Sequence, residues 1–199
     1  RGKTNGEAPS KKKKKKAPSK KKGELKRGID LGCGTGLSGS ALVTALAATT
    51  RKVAWRGVDL SPRMCELATK RGLYADVRSV ELLDALRDDP PYDFFVSCDV
   101  LVYFGDLDPF FAAAACNAAK HAAKLTAYLA MTLEDGDDAD HGWDLTATGR
   151  FRHAPQYVLD AAKNHRWRNV TNSQSVLRRQ SGKPVLGRIY VFAFDTQTR

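Results

Sequence analysis

The 199-residue sequence has no apolar run approaching the roughly 20 residues of a membrane-crossing helix, which excludes a membrane partner of that kind. It is also poor in cysteine and histidine. Its four cysteines (Cys33, Cys65, Cys98 and Cys116) form no C-x-x-C pair and follow no secretory leader. They are expected as reduced, packed thiols, which favours a cytoplasmic setting over an extracellular disulfide scaffold. Four scattered histidines give no zinc-ligand spacing. The acidic stretch 134–140 fails the calcium-loop pattern, since Asp140 stands where a glycine is needed. No metal is expected.

Net acidity is missing as well, but only from one place. Residues 1–27 hold 13 Lys/Arg and 2 acids, which accounts for the whole formal charge of +11, while the other 172 residues hold 20 of each sign. The first 26 residues, with lysine runs at 11–16 and 20–22, have too few apolar groups to offset the entropy of folding. They are expected to be a disordered tail or linker ahead of one domain at 27–199. The plain reading of such a run is a solvated linker or insertion, and the sharper ones are nuclear import or a nonspecific, salt-sensitive grip on nucleic acid. A second asymmetry lies inside the domain. Residues 28–149 hold 10 basic and 18 acidic groups, and residues 150–199 hold 10 and 2. The basic segment either faces an anionic substrate or offsets the acidic half, and the second is the simpler reading.

What is present is concentrated at 28–36, Gly-Ile-Asp-Leu-Gly-Cys-Gly-Thr-Gly. A short apolar strand running into a glycine turn and then a helix brings backbone N–H groups close to a ligand. A dinucleotide site could share the spacing Gly34-x-Gly36-x-x-Gly39, but it must hold a pyrophosphate, which Asp30 would repel. A ligand with an ammonium beside its carboxylate, such as S-adenosylmethionine, is favoured instead. Residues 53–60 look like a second strand ending at Asp59, where a carboxylate can accept both ribose hydroxyls. Asp59 suits either cofactor.

The order of elements follows from pattern and punctuation. A helix is expected over 37–48. Ser61-Pro62 should start a second helix that runs to about Lys70 and stops at Gly72. A weak strand is expected over 74–80, a short helix over 82–87 and a buried strand over 94–98 that ends at Asp99. An alanine-rich helix over 109–124 and a strand over 125–133 follow. The acidic stretch reads as a loop, and a helix over 155–164 leads to strands at about 168–177 and 185–194 joined by Ser181-Gly182-Lys183. The expected fold is a three-layer α/β domain with a Rossmann-like seven-stranded sheet, mostly parallel, closed by an antiparallel last strand.

On these residues the chain resembles the class I S-adenosylmethionine-dependent methyltransferases over about 27–194. Asp30-Leu31-Gly32-Cys33-Gly34-Thr35-Gly36 is similar to their first motif and Asp59 to their ribose acid. The resemblance implies that Glu81 and Leu82 meet the adenine and that Asp99 stands where methyl group and acceptor meet. A closer resemblance, to predicted methyltransferases carrying upstream tetratricopeptide repeats, rests on three segments. They are Gly57-Val58-Asp59-Leu60-Ser61-Pro62-Arg63-Met64, residues 99–107, and Gly149-Arg150-Phe151-Arg152-His153, with Gly182-Lys183-Pro184-Val185 before the last strand. It adds Leu60 and Met64 to the donor-binding set of Asp30, Gly32, Cys33, Gly34, Gly36, Asp59, Glu81 and Leu82. Two departures stand out. Ala122-Ala123-Lys124 replaces a usual Pro-Gly-Gly turn, and the lysine tail stands where a lid helix often precedes the domain.

Methyl transfer needs an acceptor held in line in a dry site, and a base only if the acceptor must lose a proton. Asp99, Tyr103 and His153 are the candidates for that chemistry, with Arg150 as an anchor for an acidic substrate. Each has a plain structural alternative: a turn cap for Asp99, a core aromatic for Tyr103, and a surface loop for Arg150 and His153. Asp89-Pro90-Pro91-Tyr92 spells a motif of amino-methylating DNA enzymes but precedes its strand instead of following it, so it reads as a turn. The expected activity is methyl transfer from S-adenosylmethionine to an unidentified small-molecule or protein acceptor. The alternatives are a nicotinamide-dependent oxidoreductase and a catalytically inactive module that keeps the donor fold.

Overall fold

A computed structural model describes residues 2, 25–47, 52–121, 126–137 and 140–194. The lysine tail, apart from Gly2, Leu25 and Lys26, and the Ala122-Ala123-Lys124 segment lie outside the described residues. The chain opens with β1 (Lys26–Leu31), α1 (Leu37–Ala47), β2 (Val53–Asp59), α2 (Pro62–Lys70), β3 (Asp76–Ser79) and α3 (Leu82–Asp88). It continues through β4 (Phe94–Ser97), a 3₁₀ turn at Leu101–Tyr103, α4 (Asp108–Ala119) and β5 (Tyr128–Glu134). Two short strands, β6 (Trp143–Leu145) and β7 (Phe151–His153), precede α5 (Pro155–Asn164), β8 (Trp167–Gln180) and β9 (Lys183–Phe194).

Seven strands form one sheet in the order β3-β2-β1-β4-β5-β9-β8. The pairs from β3 to β5 are parallel, and β9 lies antiparallel between β5 and β8. This is the expected α/β class and closing strand. β6 and β7 make a separate antiparallel pair that was not anticipated. β3 is shorter than expected, which leaves Tyr74 in the loop before it, and α4 is assigned only to Ala119.

Local chemistry explains most of the boundaries. Ser61 accepts a hydrogen bond from the Met64 N–H and Pro62 occupies the first helical turn, so α2 starts where the sequence indicates. Ser181 and Gly182 have φ of 49° and 77°, the left-handed pair that a two-residue hairpin turn requires. On one side of the sheet α3, α4 and α5 bury Leu86, Phe110, Phe111 and Val158 in one cluster with Ile29, Phe95, Leu129 and Phe192. Phe111 packs edge-on against Phe192, and Phe95 against Trp167. Each such ring contributes on the order of 2–3 kcal/mol by leaving water.

Two features of topology position the site. Strand order reverses between β1 and β4, so a crevice opens at their carboxyl ends. β5 pairs with β9 only as far as Glu134 and Gly187, whereas β8 and β9 stay paired out to Gln180 and Lys183. The last hairpin therefore overhangs the carboxyl edge of the sheet.

Candidate active site

The glycine turn after β1 is held by three distant groups. The Gly34 N–H donates to Asp59 Oδ2 (2.9 Å), tying the turn to the end of β2. Arg71 Nε donates to the Thr35 carbonyl (2.5 Å). Asp30, fully buried, accepts from Ser38 Oγ (2.5 Å) and Tyr74 Oη (2.6 Å), both at Oδ2. Asp30 Oδ1 is buried with no partner. Burial pushes the Asp30 carboxyl above the usual range; the Ser38 and Tyr74 bonds pull against that, and the Asp59 charge adds to it. Tyr74 also explains Gly39, where a Cβ would stand 2.5 Å from Tyr74 Cζ and closer still to the hydroxyl. Gly32 and Gly36 have φ of 76° and 85°, and a Cβ on Gly32 would lie 2.8 Å from Val100 Cγ1. Gly34 (φ 52°) is different: nothing lies within 4 Å of its Cβ direction, so its backbone faces open space.

Beside the turn lies a cavity of about 340 Å³, within the range of small-molecule sites. Of the expected donor-binding residues, Gly32, Asp59, Leu60, Glu81 and Leu82 line it, with Val58, Val80, Val100, Tyr103 and Phe104 completing the wall. Asp30, Cys33, Gly34, Gly36 and Met64 do not line it; the first four belong to β1 and the turn beside it, and Met64 is partly exposed on α2. Asp59 uses Oδ1 on the Ser61 N–H and Oδ2 on Gly34, leaving acceptor capacity on both oxygens. Glu81 caps α3 by accepting from the Leu83 and Asp84 N–H groups. Burial pushes the Cys33 thiol up to about 12, with Asp30, Cys65 and Asp59 adding to it, so Cys33 is packing and not a nucleophile.

The candidates for chemistry separate. Asp99, at φ 57°, stands two residues beyond the end of β4; its N–H donates to Thr132 Oγ1 (2.9 Å). Its carboxylate pairs with Arg178 Nη1 (2.6 Å), and Arg178 Nη2 pairs with Glu134. Arg178 comes from the overhanging end of β8 and was not singled out in the sequence. Tyr103 is 59% exposed at the cavity mouth, with the Arg150 guanidinium 5.8 Å from its ring centroid. His153 does not join them. It is 1% exposed, its Nε2 is 3.0 Å from the Gly105 carbonyl, and its ring stacks on Tyr157. Burial holds its pKa below the usual value against the opposing pull of the Gly105 carbonyl. It is a core residue, so neither the expected catalytic place nor the surface-loop alternative describes it. Asp89-Pro90-Pro91-Tyr92 is a turn entering β4, with Asp89 buried between Arg56, Arg78 and Tyr92. Among the described residues no group of three or more His, Cys, Asp or Glu could hold a metal, and no helix is long and apolar enough to cross a membrane.

Residues 29–125 match the family described as a methyltransferase domain. The matched segment runs from β1 past α4, just under half of the chain, and is similar to a methyltransferase domain. Solved structures agree on the fold. An S-adenosylmethionine-dependent methyltransferase of Methanosarcina mazei superposes with a TM-score of 0.63 at 15% identity, over 86% of this chain and 93% of that one. Magnesium protoporphyrin IX methyltransferase of Synechocystis PCC 6803, solved with bound S-adenosylhomocysteine, gives 0.60 at 14% identity over 84% and 74%. An N-methyltransferase of Bradyrhizobium japonicum gives 0.56 at 17% over 85% and 86%. No curated protein matches the sequence.

Proposed function

We propose that the chain transfers the methyl group of S-adenosylmethionine to a small-molecule or protein acceptor bound over Tyr103 and Asp99. One observation carries the reading: the bond from the Gly34 N–H to Asp59, which sets an open glycine backbone and a ribose-competent carboxylate beside one cavity. The site fits the donor. Val58, Val80, Leu82 and Val100 offer apolar walls to a purine, and the acceptor capacity left on Asp59 suits a diol. Asp30 Oδ1, buried and unpartnered, lies one strand-end away for an ammonium or its water. A nicotinamide dinucleotide would bring its pyrophosphate against Asp30 and Asp59, which disfavours the oxidoreductase reading.

When bound, the donor supplies an electrophilic methyl carbon, to which an acceptor lone pair bonds as the carbon–sulfur pair returns to sulfur. The protein's own work is placement. Tyr103 and Phe104 close the mouth of the cavity, and β4 presents Asp99 beyond it. Arg178 fixes that carboxylate, whose part is to take a proton from an acceptor that carries one. The residues at 57–64, 99–107 and 149–153 favour the tetratricopeptide-associated subgroup within the fold. They also favour a single catalytic unit from about residue 27, with the tail as an appendage.

Calorimetric titration with S-adenosylhomocysteine, S-adenosylmethionine and NADH tests the donor assignment. Adenosyl ligands should bind and NADH should not, and Asp59→Ala should weaken adenosyl binding at least tenfold, the loss of about one charge-assisted hydrogen bond. NADH binding in preference to the adenosyl ligands would refute the reading. Methyl transfer from labelled donor to cell fractions, lost in Asp99→Ala, separates an enzyme from an inactive module.

A further inference from the structure

We infer that the acceptor carries an oxyanion, carboxylate or phosphate, and that Arg150 is the group that receives it. The inference rests on the methyltransferase reading above and names the substrate class of that site.

The argument begins with the unanticipated hairpin. β6 and β7 dock against the 3₁₀ turn: a Cβ on Gly105 would stand 2.7 Å from Trp143 Cζ3 and 3.0 Å from Phe151 Cε1. Trp143 and Phe151 pack edge to face with centroids 5.3 Å apart. The loop between the strands is tied at both ends. The Thr146 N–H and Oγ1 both donate to the Arg150 carbonyl (2.8 Å each), and the Gly149 N–H donates to the Thr146 carbonyl (3.0 Å). Gly149, at φ 75°, supplies the left-handed residue that closes it. The backbone of Arg150 is thus fixed before any ligand arrives, which lowers the entropy lost on binding.

Its side chain has no charge partner. Among the described residues no carboxylate lies within ion-pair distance of Arg150, and its buried Nε has no hydrogen-bond acceptor. Its one contact of note is Tyr103, through the ring and a bond at 3.5 Å, the limit of hydrogen-bond range. The nearby guanidiniums differ. Arg152 pairs with Asp144, Arg178 with Asp99 and Glu134, and Arg188 with Asp135. These pairs also offset the charges of Asp144, Asp99, Glu134 and Asp135, four acids that would otherwise repel an incoming anion. A half-buried guanidinium without a counter-ion loses hydration that one aromatic contact replaces only in part. Laid on the aromatic ring that borders the donor cavity, with Leu145 60% exposed on the same hairpin, it suits an anion with an apolar body.

The test uses protein saturated with S-adenosylhomocysteine and follows amide shifts by NMR. The probes are benzoate, phenyl phosphate, benzyl alcohol and benzylamine. The wild type should bind at least one oxyanion probe about tenfold or more tighter than the alcohol or the amine, as expected for a charge-assisted pair. Arg150→Gln should lose that preference, and Arg150→Lys should recover part of it as a point charge without the planar fork. Benzoate against phenyl phosphate tells carboxylate from phosphate. Equal binding of oxyanion and alcohol by the wild type would overturn the inference, as would an unchanged oxyanion affinity in Arg150→Gln. Failure of S-adenosylhomocysteine to bind, with the oxyanion preference intact, would instead strike the donor assignment and leave the anion site standing.

Discussion

Tyr74→Phe is the sharpest probe of how the glycine turn is held. The change deletes one hydroxyl and almost no volume, so packing is nearly preserved. What goes is the 2.6 Å bond to Asp30 Oδ2, leaving a fully buried carboxyl with Ser38 as its only donor. A hydrogen bond to a buried charged group is worth about 1.5–3 kcal/mol. Taking about 2 kcal/mol, and ~2–4 °C per kcal/mol for a domain near this size, the melting temperature should fall by about 4–8 °C at pH 8. The pH dependence has a definite sign. Burial raises the Asp30 pKa in the folded state, so that carboxyl contributes stability below its unfolded value and loses it as pH rises through the folded one. The Tyr74 bond favours the charged form, so its removal raises the pKa further, and the deficit of the variant should grow with pH. Urea denaturation at pH 5, 6.5 and 8 measures it, beside Ser38→Ala as a second donor deletion. A variant as stable as the wild type at pH 8, or one whose deficit grows as pH falls, would refute the reasoning.

The other predictions concern groups around the same rim. Gly39→Ala sets helix propensity, about 1 kcal/mol in favour, against overpacking of about 1–3 kcal/mol on a Tyr74 ring anchored by its hydroxyl; thermal denaturation should show a net loss, and S-adenosylhomocysteine affinity should fall with it. Arg178→Gln should cost about 2–3 kcal/mol, most of it through buried Glu134, because the Asp99 side chain is 46% exposed and such pairs contribute little; adding Glu134→Gln should restore much of that stability in denaturant titrations. His153, held neutral by burial, makes stability fall as pH drops below about 6.5, by at most ~1.4 kcal/mol per pH unit. Between pH 7.5 and 5.5, His153→Gln should flatten that slope, since its amide can still meet the Gly105 carbonyl.

What the sequence made legible was local. The Asp30 to Gly36 turn, the α2 start at Ser61-Pro62, helix α5 and the Ser181-Gly182 hairpin each carry their signal within a few residues. What escaped is carried by pairs far apart in the chain. Tyr74 reaches Asp30 across 44 residues and Arg178 reaches Asp99 across 79. Neither a loop tyrosine nor an arginine in a half-polar strand announces such a partner. Gly39 was a usable hint, since its place is explained by Tyr74 and not by the turn. β6 and β7 were missed because three-residue strands are too short to show alternation, and an acidic stretch hides them as a loop. His153 attracted attention by residue type, and only its burial returns it to the core.

The charge asymmetry at residue 150 acquires a physical account from the same contacts. Three arginines of the basic segment cross back to acids of the preceding one: Arg152 to Asp144, Arg178 to Asp99 and Glu134, Arg188 to Asp135. The offset reading therefore describes these three: Arg178 and Arg188 anchor the β8–β9 hairpin to the carboxyl edge of the sheet, while Arg152 ties β7 to β6 within their own hairpin. The donor side keeps its acids, with Asp30, Asp59 and Glu81 bound to hydroxyl or backbone donors and not to cations. A cationic donor is compatible with that side, and an anionic one is not. Arg150 stands at the boundary, in a loop of this rim where its guanidinium meets no acid among the described residues. Its place beside Tyr103 makes it the point at which the offset ends and recognition of an acceptor begins.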